Sequence, residues 1–178
     1  MYKAIDKKPV MKDFDNYYTI KKASVEEVYN ALTNPFTLEL WTGYPAEMDT
    51  RPGGLFSLWE GDIQGQNLEI VPNKKIVQEW FFGEQEEPSI VTIKLFSDKK
   101  GVKVHLQHTN IPEEAYDNMK EGWNDFYFGN LQRFFDLYWF HFHGVPMNHN
   151  LQPQKSQQQR QISNIPQLTG RKVDINIS

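Results

Sequence analysis

The sequence predicts an α+β domain in which a curved antiparallel β-sheet wraps around one long C-terminal helix, with two short helices after the first strand. Three observations predict it. Short apolar runs separated by Gly, Pro and Asn turns fill the stretch from about Ala46 to Thr109, the mark of antiparallel strands. Two helices with clear start signals precede that stretch. After it, Glu121–Phe142 carries ten aromatic residues, His excluded, in a helical pattern almost free of breakers. Strands grouped before a helix, rather than alternating with helices, indicate α+β and not α/β.

The first strand is read at Asn16–Lys22, where Tyr18 and Ile20 alternate with Thr19 and Lys21. Ser24 and Glu27 form a capping box that opens a helix with Val28 and Leu32 on its apolar stripe. Asn34-Pro35 starts a second helix carrying Phe36, Leu38 and Trp41, and Gly43 ends it. Strands then follow at Met48–Thr50, Leu55–Glu60, Gln66–Val71, Lys75–Phe82, Ser89–Ser97 and Val102–Thr109. The last two make a hairpin around Asp98-Lys99-Lys100-Gly101, and the acidic Gly83–Pro88 segment is a loop. Asn110-Ile111-Pro112 launches a helical region that reaches about Phe142, with a break expected near Asn118.

On that helix Glu121, Asp125, Gln132 and Asp136 share one stripe. The opposite stripe, expected to be buried, reads Met119, Trp123, Phe126, Tyr127, Asn130, Phe134 and Tyr138. The sheet must supply the apolar surface that such a stripe needs.

The chain has 178 residues, enough for one domain with tails. It divides into an N-terminal segment (1–14), a helix-and-sheet domain (15–143) and a polar extension (144–178). The extension holds seven Gln, four Asn and no aromatic, a composition that cannot offset its ordering entropy by burial. Alternation of Val173, Ile175 and Ile177 leaves a late strand open there. With no cysteine, disulfides and thiolate metal sites are excluded. The N-terminus has no signal-peptide core and no run reaches membrane-span length, so the expectation is a soluble, cytoplasmic protein without a membrane partner. Net charge is −4. An acidic body argues against nucleic acid as a partner, because phosphate contacts need clustered Lys and Arg.

Chemistry-bearing motifs are few. No G-x-S-x-G elbow and no phosphate-binding Gly loop occur. His141, His143 and His149 form one cluster, but a helix would splay the first two and no carboxylate follows Asp136 nearby, so no metal is expected. No catalytic residue and no cofactor is assigned. The candidate site is instead aromatic: Trp41, Phe56, Leu58, Trp80, Phe82, Trp123, Phe126 and Phe134 either pack a core or line an apolar cavity. Strand parity puts Gln78 between Ile76 and Trp80, His108 beside Leu106, and Glu60 beyond Phe56 and Leu58, while Asn130 interrupts the helical stripe. Those four polar groups would orient a ligand.

A set of segments then occurs in order: Val28-Tyr29-Asn30-Ala31-Leu32-Thr33-Asn34-Pro35, Trp41, Gly53-Gly54-Leu55-Phe56, the Gly61–Gly65 turn, Pro72 through Trp80, and Glu121-Gly122-Trp123. This order resembles the AHSA family of the START-like (SRPBCC, helix-grip) superfamily. It is most similar to the C-terminal domain of the eukaryotic activators of the heat-shock-protein-90 ATPase, especially over Gly122–Phe128, and covers about Tyr17 to Phe135. The resemblance implies a seven-part curved sheet around a long helix with a cavity between them. Family members include chaperone cofactors and single-domain proteins. The eukaryotic activators carry a separate N-terminal domain, to which nothing in Met1–Phe14 corresponds.

Three functions are therefore carried forward. The first is a non-enzymatic module that holds a small hydrophobic ligand between sheet and helix. The second is a protein-interaction module, with a chaperone partner of the heat-shock-protein-90 type. The third, a cyclase- or hydrolase-like enzyme, rests on superfamily analogy alone.

Overall fold

The computed structural model describes residues 10–81 and 88–142, and for 139–142 the backbone only. The acidic loop, Phe82, the extension with its late strand, and the side chains of the histidine cluster lie outside the described residues.

A seven-stranded antiparallel sheet runs in the order β1-β7-β6-β5-β4-β3-β2. Its strands are β1 (Met11–Lys21), β2 (Glu47–Met48), β3 (Leu55–Leu58), β4 (Ile63–Val71), β5 (Lys75–Trp80), β6 (Ser89–Asp98) and β7 (Gly101–Pro112). Helices α1 (Val25–Thr33) and α2 (Pro35–Thr42) follow β1, and α3 (Glu113–Glu121) and α4 (Phe128–Phe142) close the domain. The local signals act as the residues require. Ser24 accepts from Glu27 N–H while the Glu27 carboxylate accepts from Ser24 N–H, and Asn34 caps α2. Gly43 takes the left-handed conformation at φ 80° that ends α2.

Alternation is strict on β6 and β7: Val91, Ile93 and Leu95 face Val102, Val104 and Leu106 on one buried side. The long helix lies on that side. Tyr18 of β1 donates its hydroxyl to Asn124 at 2.7 Å and stacks on Phe128 at 4.3 Å. The Gln132 side chain accepts Lys21 N–H at 2.7 Å, so the end of β1 is tied to α4. Gly65, opposite Trp80, sits where any Cβ would run into the Glu79 carbonyl and the Phe56 ring, so β4 approaches β5 there only as glycine.

Three local expectations are corrected. The first strand starts at Met11, upstream of Asn16, and pairs with β7 from Pro112 onward. The strand at Leu55 ends at Leu58: Trp59 and Glu60 adopt left-handed φ values of 51° and 56°, which flips Trp59 inward and leaves Glu60 exposed. Glu60 therefore does not continue the Phe56 and Leu58 parity.

The helix differs most. It does not break at Asn118. Between α3 and α4, Gly122–Tyr127 forms a π-helical segment, with Phe128 N–H bonded to the Trp123 carbonyl five residues back. The wider turn absorbs one extra residue, so everything after it is offset from a 3.6-residue stripe. Buried positions run Trp123, Tyr127, Phe128, Asn130, Leu131 and Phe135, while Phe126 and Phe134 are half-buried. On α2, Leu38 and Trp41 are buried but Phe36 is exposed.

The offset predicts unequal costs for neighbouring rings. Phe128→Ala should destabilise by about 3–5 kcal/mol and Phe126→Ala by about 1 kcal/mol, measured by urea unfolding. Equal losses would mean that the helix keeps uniform α-helical spacing in solution.

Candidate functional site

The centre of the domain is built from two tryptophans. Trp80 comes from the inner face of β5 and Trp123 from the π-helical segment, and their rings lie 4.8 Å apart at 32°. Each indole N–H is buried and needs an acceptor. They point to different ones, and each starts a hydrogen-bonded relay.

Trp123 Nε1 donates to His108 Nδ1 at 3.0 Å. An indole N–H can only donate, so Nδ1 is the unprotonated nitrogen and Nε2 carries the hydrogen. Nε2 therefore donates to Ser89 Oγ at 2.7 Å, and the Ser89 hydroxyl donates to the Thr109 carbonyl at 3.1 Å. The relay has one direction throughout. His108 is fully buried, and burial lowers its pKa from 6.5 to about 3, so the imidazole is neutral. Although Ser89 and His108 are within bonding distance, this tautomer has no lone pair facing the serine. The pair cannot activate a nucleophile in the way a hydrolase requires.

The second relay starts at Trp80 Nε1, which donates to Gln78 Oε1 at 3.1 Å. Gln78 Nε2 donates to Asn67 Oδ1 at 2.9 Å, and Asn67 Nδ2 donates to the Asp49 carbonyl at 2.6 Å. Asn67 reaches inward on the parity of Gly65, opposite Gln78, and β4 then bulges between Asn67 and Glu69, which leaves Leu68 unpaired and exposed. Without the bulge, Glu69 rather than Ile70 would share the inner face. Asn67 is missed from sequence, as are Trp59 and Ser89, although its parity with Gly65 places it on the inner face. The serine had one signal, its place at the start of a strand opposite the His108 strand.

Around the tryptophan pair the rings touch one another. Phe56 lies 6.4 Å from Trp80, and Tyr127 lies 4.7 Å from Trp123 and 5.1 Å from Trp41. Trp41 Nε1 donates to the Ala31 carbonyl at 2.8 Å, and Leu58 is buried. The structure thus gathers Trp41, Phe56, Leu58, Gln78, Trp80, His108 and Trp123 into one interior. Asn130 is turned aside and accepts from Arg133 on its own helix. Phe134 contacts Phe135 and Tyr138 near the domain surface, and Glu60 points outward. A side chain that lines a hollow wide enough for water keeps accessible area, yet Trp80 keeps 4 %, Trp123 2 % and Gln78 4 %. The gathered residues pack on each other.

One buried polar atom stands apart. Among the described residues the Tyr127 hydroxyl has no hydrogen-bond partner, although Tyr127 is only 4 % exposed and burial pushes its pKa up. Trp41, Trp59 and Trp123 surround its ring.

The His108 relay has a pH consequence. The unfolded imidazole takes a proton near 6.5 and the folded one only near about 3, so between those values the unfolded chain binds more protons. Stability is therefore full above the upper value and falls as pH drops below it. His108→Gln should remove this contribution. The stability gap between wild type and variant should then shift by up to ~1.4 kcal/mol per pH unit below about pH 6.5, read from urea unfolding at each pH. A pH-independent gap would contradict a neutral buried His108.

Comparison with known proteins adds the wider context. A family model described as Activator of Hsp90 ATPase homolog 1-like protein matches residues 22–136. The Homo sapiens activator of 90 kDa heat shock protein ATPase homolog 1 is 31% identical over 114 residues, which is 63% of this chain and 34% of that protein. The Dictyostelium discoideum homologue is 32% identical over 105 residues, 57% of this chain and 27% of that protein. The chain thus spans about a third of the length of the curated relatives it matches. Among solved structures, an HSP90 activator from Plasmodium falciparum superposes with a TM-score of 0.60 at 29% identity, covering 69% of this chain and 94% of that one. A Mesorhizobium loti protein superposes at 0.61 with 24% identity, covering 71% of this chain and 98% of that one, a likeness of fold. Among the described residues no helix is long and apolar enough to cross a membrane.

Proposed function

The chain belongs to the Activator of Hsp90 ATPase homolog 1-like family, and we propose that it is a non-enzymatic protein-interaction module, a co-chaperone of a heat-shock-protein-90-type ATPase. The observation that carries this reading is the extent of the match. Residues 22–136 run from the end of β1 well into α4, so the similarity takes in the sheet-and-helix frame as a whole rather than a short motif. The interior supports it as well. Gln78 and His108 are both committed to tryptophan N–H groups, which suits a rigid body that works through its surface. The His108 tautomer speaks against hydrolysis at the Ser89–His108 pair. Because the match takes in only about a third of the relatives' length, binding to the chaperone is the core of the proposal, and stimulation of its ATPase is measured separately.

Purified chain should retain a heat-shock-protein-90-type ATPase in a pull-down and change its steady-state ATP hydrolysis. An inhibitor of the chaperone's nucleotide site should abolish that activity. Neither retention nor a change in rate at saturating chain would remove the co-chaperone reading.

A second reading, a small hydrophobic ligand between sheet and helix, draws on one observation, the unpartnered Tyr127 hydroxyl among the rings of Trp41, Trp59 and Trp123. A buried hydroxyl left unmatched costs about 1–3 kcal/mol, which a carbonyl-bearing apolar ligand would recover. Native mass spectrometry of freshly purified protein should then give an adduct that Tyr127→Phe weakens without loss of stability. A bare chain mass in both proteins would exclude this reading.

A further inference from the structure

Positive charge is concentrated at one end of the sheet. Lys74 and Lys75 lie at the β4–β5 turn, Lys99 and Lys100 at the β6–β7 hairpin, and Lys94 and Lys103 on the adjoining strands. These six are half of the lysines and arginines among the described residues, in a chain whose net charge is −4. Lys75 and Lys94 stand directly opposite each other across β5 and β6, a like-charge pairing that weakens the sheet unless an anion lies over it. The neighbouring carboxylates are engaged. Glu69 binds Lys75 at 2.7 Å, Asp98 accepts Lys100 N–H, and Asp15 accepts from His105 and Gln107.

The same end carries exposed aromatic surface. β6 runs past the start of β5, and an open depression lies between this overhang, the β4–β5 turn and the start of α1. Lys74, Lys75, Lys94, Phe96 and Val25 line it. Phe96 is 48% exposed, with Lys94 two residues away on the same face and Lys103 opposite it on β7. An apolar centre with a charged rim is the pattern of a protein contact site, and the sign of the rim selects the partner.

We propose that this end of the sheet docks an acidic protein segment bearing a bulky apolar side chain, its carboxylates meeting Lys74, Lys75 and Lys94 and its apolar group covering Phe96. The proposal rests on the reading that the domain acts by binding a protein, and it names the chemistry of the segment bound. A membrane or a nucleic acid could also cover a ring beside lysines, and the test separates them from a protein segment.

The test follows backbone amide NMR shifts of the full chain at low salt while a synthetic peptide of alternating Asp and Glu around one central Trp is added. Shifts should concentrate at residues 73–75 and 94–97 and weaken as salt rises. The paired substitutions Lys74→Glu and Lys94→Glu should reduce affinity about tenfold, and the milder Lys74→Gln and Lys94→Gln pair should reduce it less. Phe96→Ser should remove the advantage of the Trp peptide over a Trp-free one. Lys120→Glu, on α3, should change nothing. The proposal is overturned by no binding, by shifts centred elsewhere, by equal sensitivity to Lys120→Glu, or by equal binding of the Trp-free peptide. Tighter binding of phosphatidylserine vesicles or of a single-stranded DNA oligonucleotide through the same lysines would also overturn it. No chaperone is present, so failure here leaves the ATPase reading intact, and a silent ATPase assay leaves this surface intact.

Discussion

The contact between Trp80 and Trp123 is the constraint on which the remaining interior depends. It joins the sheet to the long helix through tilted rings 4.8 Å apart, and it puts two indole N–H groups where water cannot reach. Two buried donors demand two buried acceptors. His108 and Gln78 meet that demand, and each then needs a partner for its own remaining polar atom. Ser89 and Asn67 follow as the next members, and both relays end on backbone carbonyls. A buried polar chain is stable only when every member is satisfied. The conspicuous polar residues of the interior are therefore explained by the rings beside them.

The same reasoning ranks the functional readings. A polar side chain projecting into an apolar cavity would be free to select a ligand. A polar side chain that already receives an indole hydrogen is not. His108 illustrates the point: the acceptor role at Nδ1 fixes the hydrogen on Nε2 and forbids the base role that its distance to Ser89 would suggest. On the proposed reading the domain works through its surface. That surface carries the lysine-rich end and the exposed Phe96.

Much of the architecture was legible in the residues. Capping at Ser24 and Asn34, strand alternation from β5 to β7 and the late aromatic helix each follow from local chemistry, and the structure has all of them. The resemblance at Gly122–Phe128 led to the right family. What could not be read was any break in regular spacing. A π-helical turn, a β-bulge and a left-handed pair each add or invert a single step. Each moves the inward position by one residue: Phe134 gives way to Phe135, Glu69 to Ile70, and Glu60 to Trp59. Periodicity assumes a constant step, so it fails at such places, and they adjoin the tryptophan pair. The polar relays were beyond sequence for a second reason, since they join strands far apart in the chain.

The strand order has a consequence for how the chain acquires its structure. β1 precedes the other strands of the sheet in the chain, yet its partner is β7, with Met11 opposite Pro112. Its amide and carbonyl edge cannot be matched until nearly the whole domain has been synthesised. Such distant pairing slows folding, and a strand edge that waits unpaired invites association with other chains. A protein of this topology passes through an interval at birth in which one edge of its sheet is made but unmatched.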